Sequence, residues 1–152
     1  MLELEKTMMP WIGRTMKAID YFIMDRFAQN GIELTKVQWL LLRRLKELNG
    51  EIQHNLAFIT NRDKASLTRL LTTMEKKNLV ARIPSETDHR ANKIFLTANG
   101  EKMLKKADPV IAKIVEEMHE GISEKDRLQA VETLKKIIQN IKTTDLVAIE
   151  TK

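Results

Sequence analysis

The chain reads as a mainly α-helical fold carrying one small β-hairpin. Three observations predict this. Apolar residues recur at three- and four-residue spacing through most of the length, which places them on single helical stripes. Only two short β-leaning runs interrupt that pattern, residues 79–83 (LVARI) and 93–97 (KIFLT), joined by the polar loop PSETDHRAN. Basic charge gathers around the hairpin: residues 61–106 hold eleven Lys or Arg against five acids, a local +6 in a chain whose total is +5.

The first helix spans residues 10–27, with Ile12, Met16, Ile19, Ile23 and Phe27 on one stripe. Trp11, Phe22 and Met24 widen the stripe beyond what one neighbouring helix would cover, and Asn30-Gly31 stops it. In LTKVQWLLLRRLKELNG, Thr35 and Gln38 stand at capping-box spacing, where each side chain satisfies the other's free backbone N–H. The apolar face of this second helix runs through Val37, Leu41, Leu45 and Leu48 until Asn49-Gly50. EIQHNLAFIT predicts a short third helix with Ile52, Leu56 and Ile59 inward, ending at Thr60-Asn61.

In RDKASLTRLLTTMEKKN, Leu67, Leu70, Leu71 and Met74 form the inward stripe of a fourth helix. The opposite face carries Arg62, Ala65, Arg69, Thr72 and Lys76, flanked by Lys64, Ser66 and Thr68. Two short helices joined by a tight turn, the second polar and basic outward, make a helix-turn-helix candidate. The hairpin follows, with Pro84 closing its first strand and Asn92 helping the chain turn back. Thr97 can cap a fifth helix with Met103, Leu104, Ala107, Ile111, Ile114, Val115 and Met118 as its apolar positions. Pro109 inside that pattern either kinks one long helix, the reading preferred, or opens a new one capped by Asp108. Gly121 ends the run, Ser123 caps a last helix, and Leu128, Val131, Leu134, Ile138 and Ile141 stripe its face.

Several function classes drop out. At 152 residues the chain suits one domain, residues 1–152, with a hydrophobic core of its own. Its apolar runs reach only about four residues, so none spans a membrane. Glu3 and Glu5 beside a single Lys6 lack the order of a signal peptide, which leaves a cytoplasmic protein as the expectation. The absence of cysteine excludes disulfides, thiol catalysis and thiol redox sensing. No Gly-rich loop or nucleophile–base pair is visible, and Glu116, Glu117 and Glu120 read as a solvated helix surface. His54, His89 and His119 are isolated, without metal-ligand spacing. No catalytic residue, metal or cofactor is expected.

A basic middle between near-neutral ends is the footprint of a nucleic-acid binder. On the outward face of residues 62–76, small residues allow close approach to base edges and Arg69 can reach guanine. Arg62, Lys64, Ser66, Thr68 and Arg69 are therefore the major-groove candidates. At the hairpin tip Arg90 can enter the adjoining minor groove, with Asp88 holding it extended through a charge-assisted hydrogen bond. The alternative is a winged-helix protein-interaction module without DNA binding. It would carry acids or bulky apolar groups on the face that instead holds Arg, Lys, Ser, Thr and Ala65.

The order is that of a winged helix-turn-helix. LTKVQWLLLRRL, IQHNLAFIT, DKASLTRLLTTMEKKNLVAR, DHR and IFLTANG resemble the successive signatures of the MarR (multiple antibiotic resistance regulator) family over roughly residues 34–101. The resemblance implies a homodimeric transcription factor, with residues 34–97 as the DNA-binding region and residues 1–30 and 98–152 as dimerisation helices. It implies double-stranded DNA with a pseudo-palindromic operator as partner, the recognition helix in the major groove and the wing arginine in the minor groove. It further implies a repressor released by a small, often aromatic, anion. Trp11, Arg14, Met16, Trp39 and Arg43 are the candidate lining of such an effector site, in a crevice between the first, second and fifth helices. The residues themselves also favour a dimer, since Met8, Met9, Trp11 and Ile12 add more apolar surface than a monomer of this size needs. The chain departs from the family's peroxide-sensing branch, which uses a cysteine, and from its zinc-sensing branch, which clusters His, Glu and Cys.

Overall fold

Side-chain caps set most helix starts in the computed structural model, which describes residues 3–60, 63–87 and 91–141, the side chains of Phe58 and Ile59 excepted. A 3-10 turn at Leu4–Lys6 leads into α1, Met8–Gln29, and Gly31 turns the chain with φ +62°. α2, Lys36–Glu47, begins at a complete capping box: Thr35 Oγ1 accepts the Gln38 N–H at 3.1 Å, and Gln38 Oε1 accepts the Thr35 N–H at 3.0 Å. α3 is Gln53–Thr60 and α4 is Lys64–Lys76, the latter capped by Asp63 Oδ1 on the Ser66 N–H at 2.7 Å. α5, Ala98–Met118, starts where Thr97 Oγ1 accepts the Gly100 N–H at 3.0 Å. It continues through Pro109 as one helix rather than splitting there. α6, Glu124–Ile141, follows Gly121 (φ +73°) and Ser123, whose Oγ accepts the Asp126 N–H at 3.1 Å.

The hairpin is part of a three-stranded antiparallel sheet in the order β1-β3-β2. β2, Val80–Pro84, pairs along its whole length with β3, Asn92–Leu96, from Val80 opposite Leu96 to Pro84 opposite Asn92. The third strand, β1, is Glu51–Ile52, opposite Ile94 and Lys93. This corrects the expectation of a helix beginning at these residues with Ile52 inward: Ile52 is in the sheet and 40% exposed. The cause is Gly50 at φ +82°, which swings the chain beside β3 so that its own N–H reaches Ile94 O at 3.0 Å. Leu48 is likewise turned out, because the chain has left helical geometry there (φ −125°, ψ 71°). The expected inward position of Ile59 lies outside the described side chains.

One hydrophobic cluster holds these elements together. Phe27 from α1, Leu41, Leu42 and Leu45 from α2, and Leu56 from α3 meet Leu67, Leu71 and Met74 of α4. Val80 and Ile94 of the sheet and Leu104, Ala107 and Ile114 of α5 complete it. Each side chain of Leu size contributes about 1.5–3 kcal/mol when fully withdrawn from water. Gly100 lets α5 approach the sheet: a Cβ there would lie 2.2 Å from the Leu79 carbonyl oxygen. By contrast α6 buries no residue, and Met8, Met9, Trp11 and Met16 at the start of α1 are exposed.

Candidate nucleic-acid interface

α4 is amphipathic, and its two faces are sorted by what lies behind it. Leu67, Leu71 and Met74 are buried, while Lys64, Ala65, Arg69, Thr73 and Lys76 are exposed. Lys64, Arg69 and Lys76 form no ion pair among the described residues, so their charges face outward. The Thr73 hydroxyl, pointing the same way, is a residue the sequence reading missed; its hydroxyl donates to Arg69 O at 3.1 Å. Ser66 and Thr68 are half-buried at the flank. Thr68 is committed locally: its hydroxyl donates to Lys64 O at 2.8 Å and accepts from Gln53 Nε2 at 3.1 Å, which pins α3 to α4.

Thr72 does not share the outward face expected for it. It is half-buried and accepts a hydrogen bond from an Arg82 terminal nitrogen at 3.1 Å. Arg82 projects from β2 and also grips Glu75 through a terminal nitrogen to Oε1 at 3.1 Å and Nε to Oε2 at 3.3 Å. Those hydrogen bonds, first of all the side-chain ones from Arg82, hold the Glu75 carboxyl below the ordinary glutamate range against a smaller opposing effect of burial. Nothing in single-sequence periodicity pairs residue 82 with residues 72 and 75. Arg62, Asp88 and Arg90 lie outside the described residues, as does His89.

The five candidate effector residues fall into two groups. Trp39 and Arg43 on α2 share Asp108 of α5: Trp39 Nε1 donates to Oδ1 at 3.1 Å and Arg43 to Oδ2 at 3.2 Å. Trp11 and Arg14 share Glu5 instead, through Trp11 Nε1 to the Glu5 carbonyl at 3.1 Å and a two-pronged Arg14 contact at 2.9 and 2.7 Å. Arg14 also sits 5.2 Å from the Trp11 ring centre. Trp11 and Met16 line a groove of about 470 Å³ with Met8, Ile12 and Ile19 of α1 and Leu134 of α6. Among the described residues, no group of three His, Asp or Glu side chains could hold a metal ion, and no helix is long and apolar enough to cross a membrane.

A helix pair packed on a three-stranded wing, between long terminal helices, defines a winged helix-turn-helix protein. More narrowly, residues 34–91 match the model of the MarR family, so the likeness read from the sequence is shown over that winged region. Solved structures agree in fold. The transcriptional repressor CouR, bound to a 23-mer DNA duplex, is 21% identical, with 89% of this chain and 94% of that one covered at a TM-score of 0.81. A MarR-family transcriptional regulator from Silicibacter pomeroyi is 21% identical, with 92% and 93% covered and a TM-score of 0.74. NadR in complex with 4-hydroxyphenylacetate is 23% identical, with 90% and 96% covered and a TM-score of 0.72.

Proposed function

We propose that the chain is a sequence-specific DNA-binding transcriptional regulator, acting as a homodimeric repressor in the cytoplasm. The observation that carries this reading is the outward face of α4, where Lys64, Arg69 and Lys76 stand exposed and without acidic partners among the described residues. An α-helix fits the major groove, and an exposed Arg supplies the bidentate donors that guanine accepts. Arg62, Lys64, Ser66, Thr68 and Arg69 are assigned to base edges and adjoining phosphates, with Arg90 in the minor groove and Asp88 steadying it. The CouR structure, solved on a DNA duplex, supports DNA as the partner.

The dimer follows from surface that the single chain leaves uncovered. Leu128, Val131, Leu134, Ile138 and Ile141 run along one stripe of α6, all exposed, and Leu134 shares a groove with the exposed Met8, Trp11 and Met16 of α1. Contiguous apolar surface of this kind marks an interface. A second copy, bringing the same terminal helices (residues 1–30 and 98–152), is the proposed cover. The dyad would present two copies of α4 to half-sites about 10 bp apart. The effector is assigned as a small aromatic anion, a reading supported by NadR with 4-hydroxyphenylacetate.

Selection of bound fragments from genomic DNA, followed by footprinting, tests the reading. Two protected half-sites per complex, lost on adding salicylate or 4-hydroxyphenylacetate at millimolar concentration, are expected. Protection of a single half-site by a monomer would overturn the dimeric reader, and undiminished binding would remove the aromatic-anion effector.

A further inference from the structure

Strand β2 is fastened to α4 by more than packing. Besides its side-chain contacts with Glu75 and Thr72, Arg82 donates its backbone N–H to Glu75 Oε2 at 3.2 Å. The flanking bonds, Ser85 N–H to Ala91 O at 2.8 Å and Thr97 N–H to Leu79 O at 3.2 Å, show that odd-numbered residues of β2 turn their backbone groups toward β3. The Arg82 N–H therefore faces the free edge of the sheet, where Glu75 takes it. Pro84, the next residue facing that way, has no N–H to offer. Helix and strand edge are thus joined through one carboxylate.

An exposed ion pair between flexible side chains contributes little and holds no fixed geometry. This contact is partly shielded and fixed in geometry: the Arg82 side chain is 20% exposed and that of Glu75 41%, the fork meets both Glu75 oxygens, and the backbone is captured as well. We propose that Glu75 and Arg82 are a positioning pair that holds the wing sheet at one angle to α4, so that both meet a DNA duplex as one rigid body. The inference rests on the DNA-binding reading above. Ordering the two elements before binding lowers the entropy lost at binding. Arg82 spends its charge on Glu75 and neutralises no phosphate.

Glu75→Gln, Arg82→Met and the double variant of the full chain test this against the fragments that the wild-type protein selects. Each single change should weaken binding roughly tenfold. The double variant should be no weaker than the poorer single, because both remove one contact. The slope of log affinity against log salt should match wild type, and Arg82→Lys, which keeps the charge without the fork, should fall between. Without DNA, the Arg82 backbone amide should exchange its hydrogen faster in Glu75→Gln. Glu75→Gln removes a negative charge, so a purely electrostatic effect would tighten binding. Tighter or unchanged binding by Glu75→Gln overturns the proposal, as does a salt slope reduced by about 0.9 or more in Arg82→Met. Unchanged exchange at Arg82 overturns it whatever the DNA result. Failure of the wild-type protein to retain any fragment at low salt removes the DNA-binding reading, while the exchange measurement still decides whether the pair locks the sheet.

Discussion

Trp39 and Arg43 converge on Asp108: the indole N–H takes one carboxylate oxygen at 3.1 Å and the guanidinium the other at 3.2 Å. One acidic residue of α5 thereby ties two successive turns of α2. Asp108→Ala should cost about 1 kcal/mol, below the usual range for charge-assisted bonds because both partners are partly exposed. Urea unfolding at fixed protein concentration checks this, with a lowered midpoint and an unchanged m-value expected.

Gly100 leaves no room for a side chain. A Cβ there would meet the Leu79 carbonyl oxygen at 2.2 Å and a Leu96 methyl at 2.8 Å, so α5 and the sheet must separate to admit it. Alanine favours helices over glycine by about 1 kcal/mol, yet Gly100→Ala should destabilise by roughly 1–3 kcal/mol because the clash is with backbone. A thermal melt showing a raised midpoint would refute the close approach.

Leu134 is exposed on α6 and lines the groove beside Trp11 and Met16. Since α6 contributes nothing to the buried cluster, Leu134→Glu should leave the helix content of the chain intact while shifting the protein toward monomer. Sedimentation and circular dichroism, read together, check both halves. Loss of helix without loss of association would contradict the assigned interface.

Arg69 and Arg90 should fail in different ways. Arg69→Ala is expected to cost roughly 1–3 kcal/mol at the preferred site and flatten discrimination among sites. Arg90→Ala should leave the melting temperature and dimerisation nearly unchanged, weaken DNA binding, and lower the salt slope by about 0.9 per phosphate neutralisation lost. Asp88→Ala should also weaken binding, although it removes a negative charge; tighter binding would rule out its positioning role. Titrations on selected and random duplexes at several salt concentrations separate these outcomes.

Glu75 provides a pH test. Its carboxyl is held below the ordinary range by hydrogen bonds from Arg82, so the folded state binds that proton less readily than the unfolded chain. The contribution to stability is present above the ordinary glutamate value of about 4.3 and lost as pH falls through the lower folded value. Wild type should exceed Glu75→Gln in stability near neutrality, and the gap should close on acidification. A gap that widens in acid would have the wrong sign.

Local chemistry made much of this protein legible in its sequence. The Thr35–Gln38 box, the Thr97 and Ser123 caps, and the three- and four-residue stripes all act within one or two turns, so residue order alone places them. The basic outward side of α4 was readable for the same reason, since its opposite stripe had to be buried. What only the tertiary structure decided depends on neighbours far apart in the chain. Glu51–Ile52 becomes a strand because β3 lies beside it, and a two-residue strand has no periodicity to detect. Thr72 turns from the outward face because Arg82, ten residues on, donates to it. Gly100 is required by the Leu79 carbonyl across the fold, and Trp11 and Trp39 part company because Glu5 and Asp108 hold them separately. Burial and hydrogen bonding across long sequence separations assigned these roles, and such contacts exist only once the chain has folded.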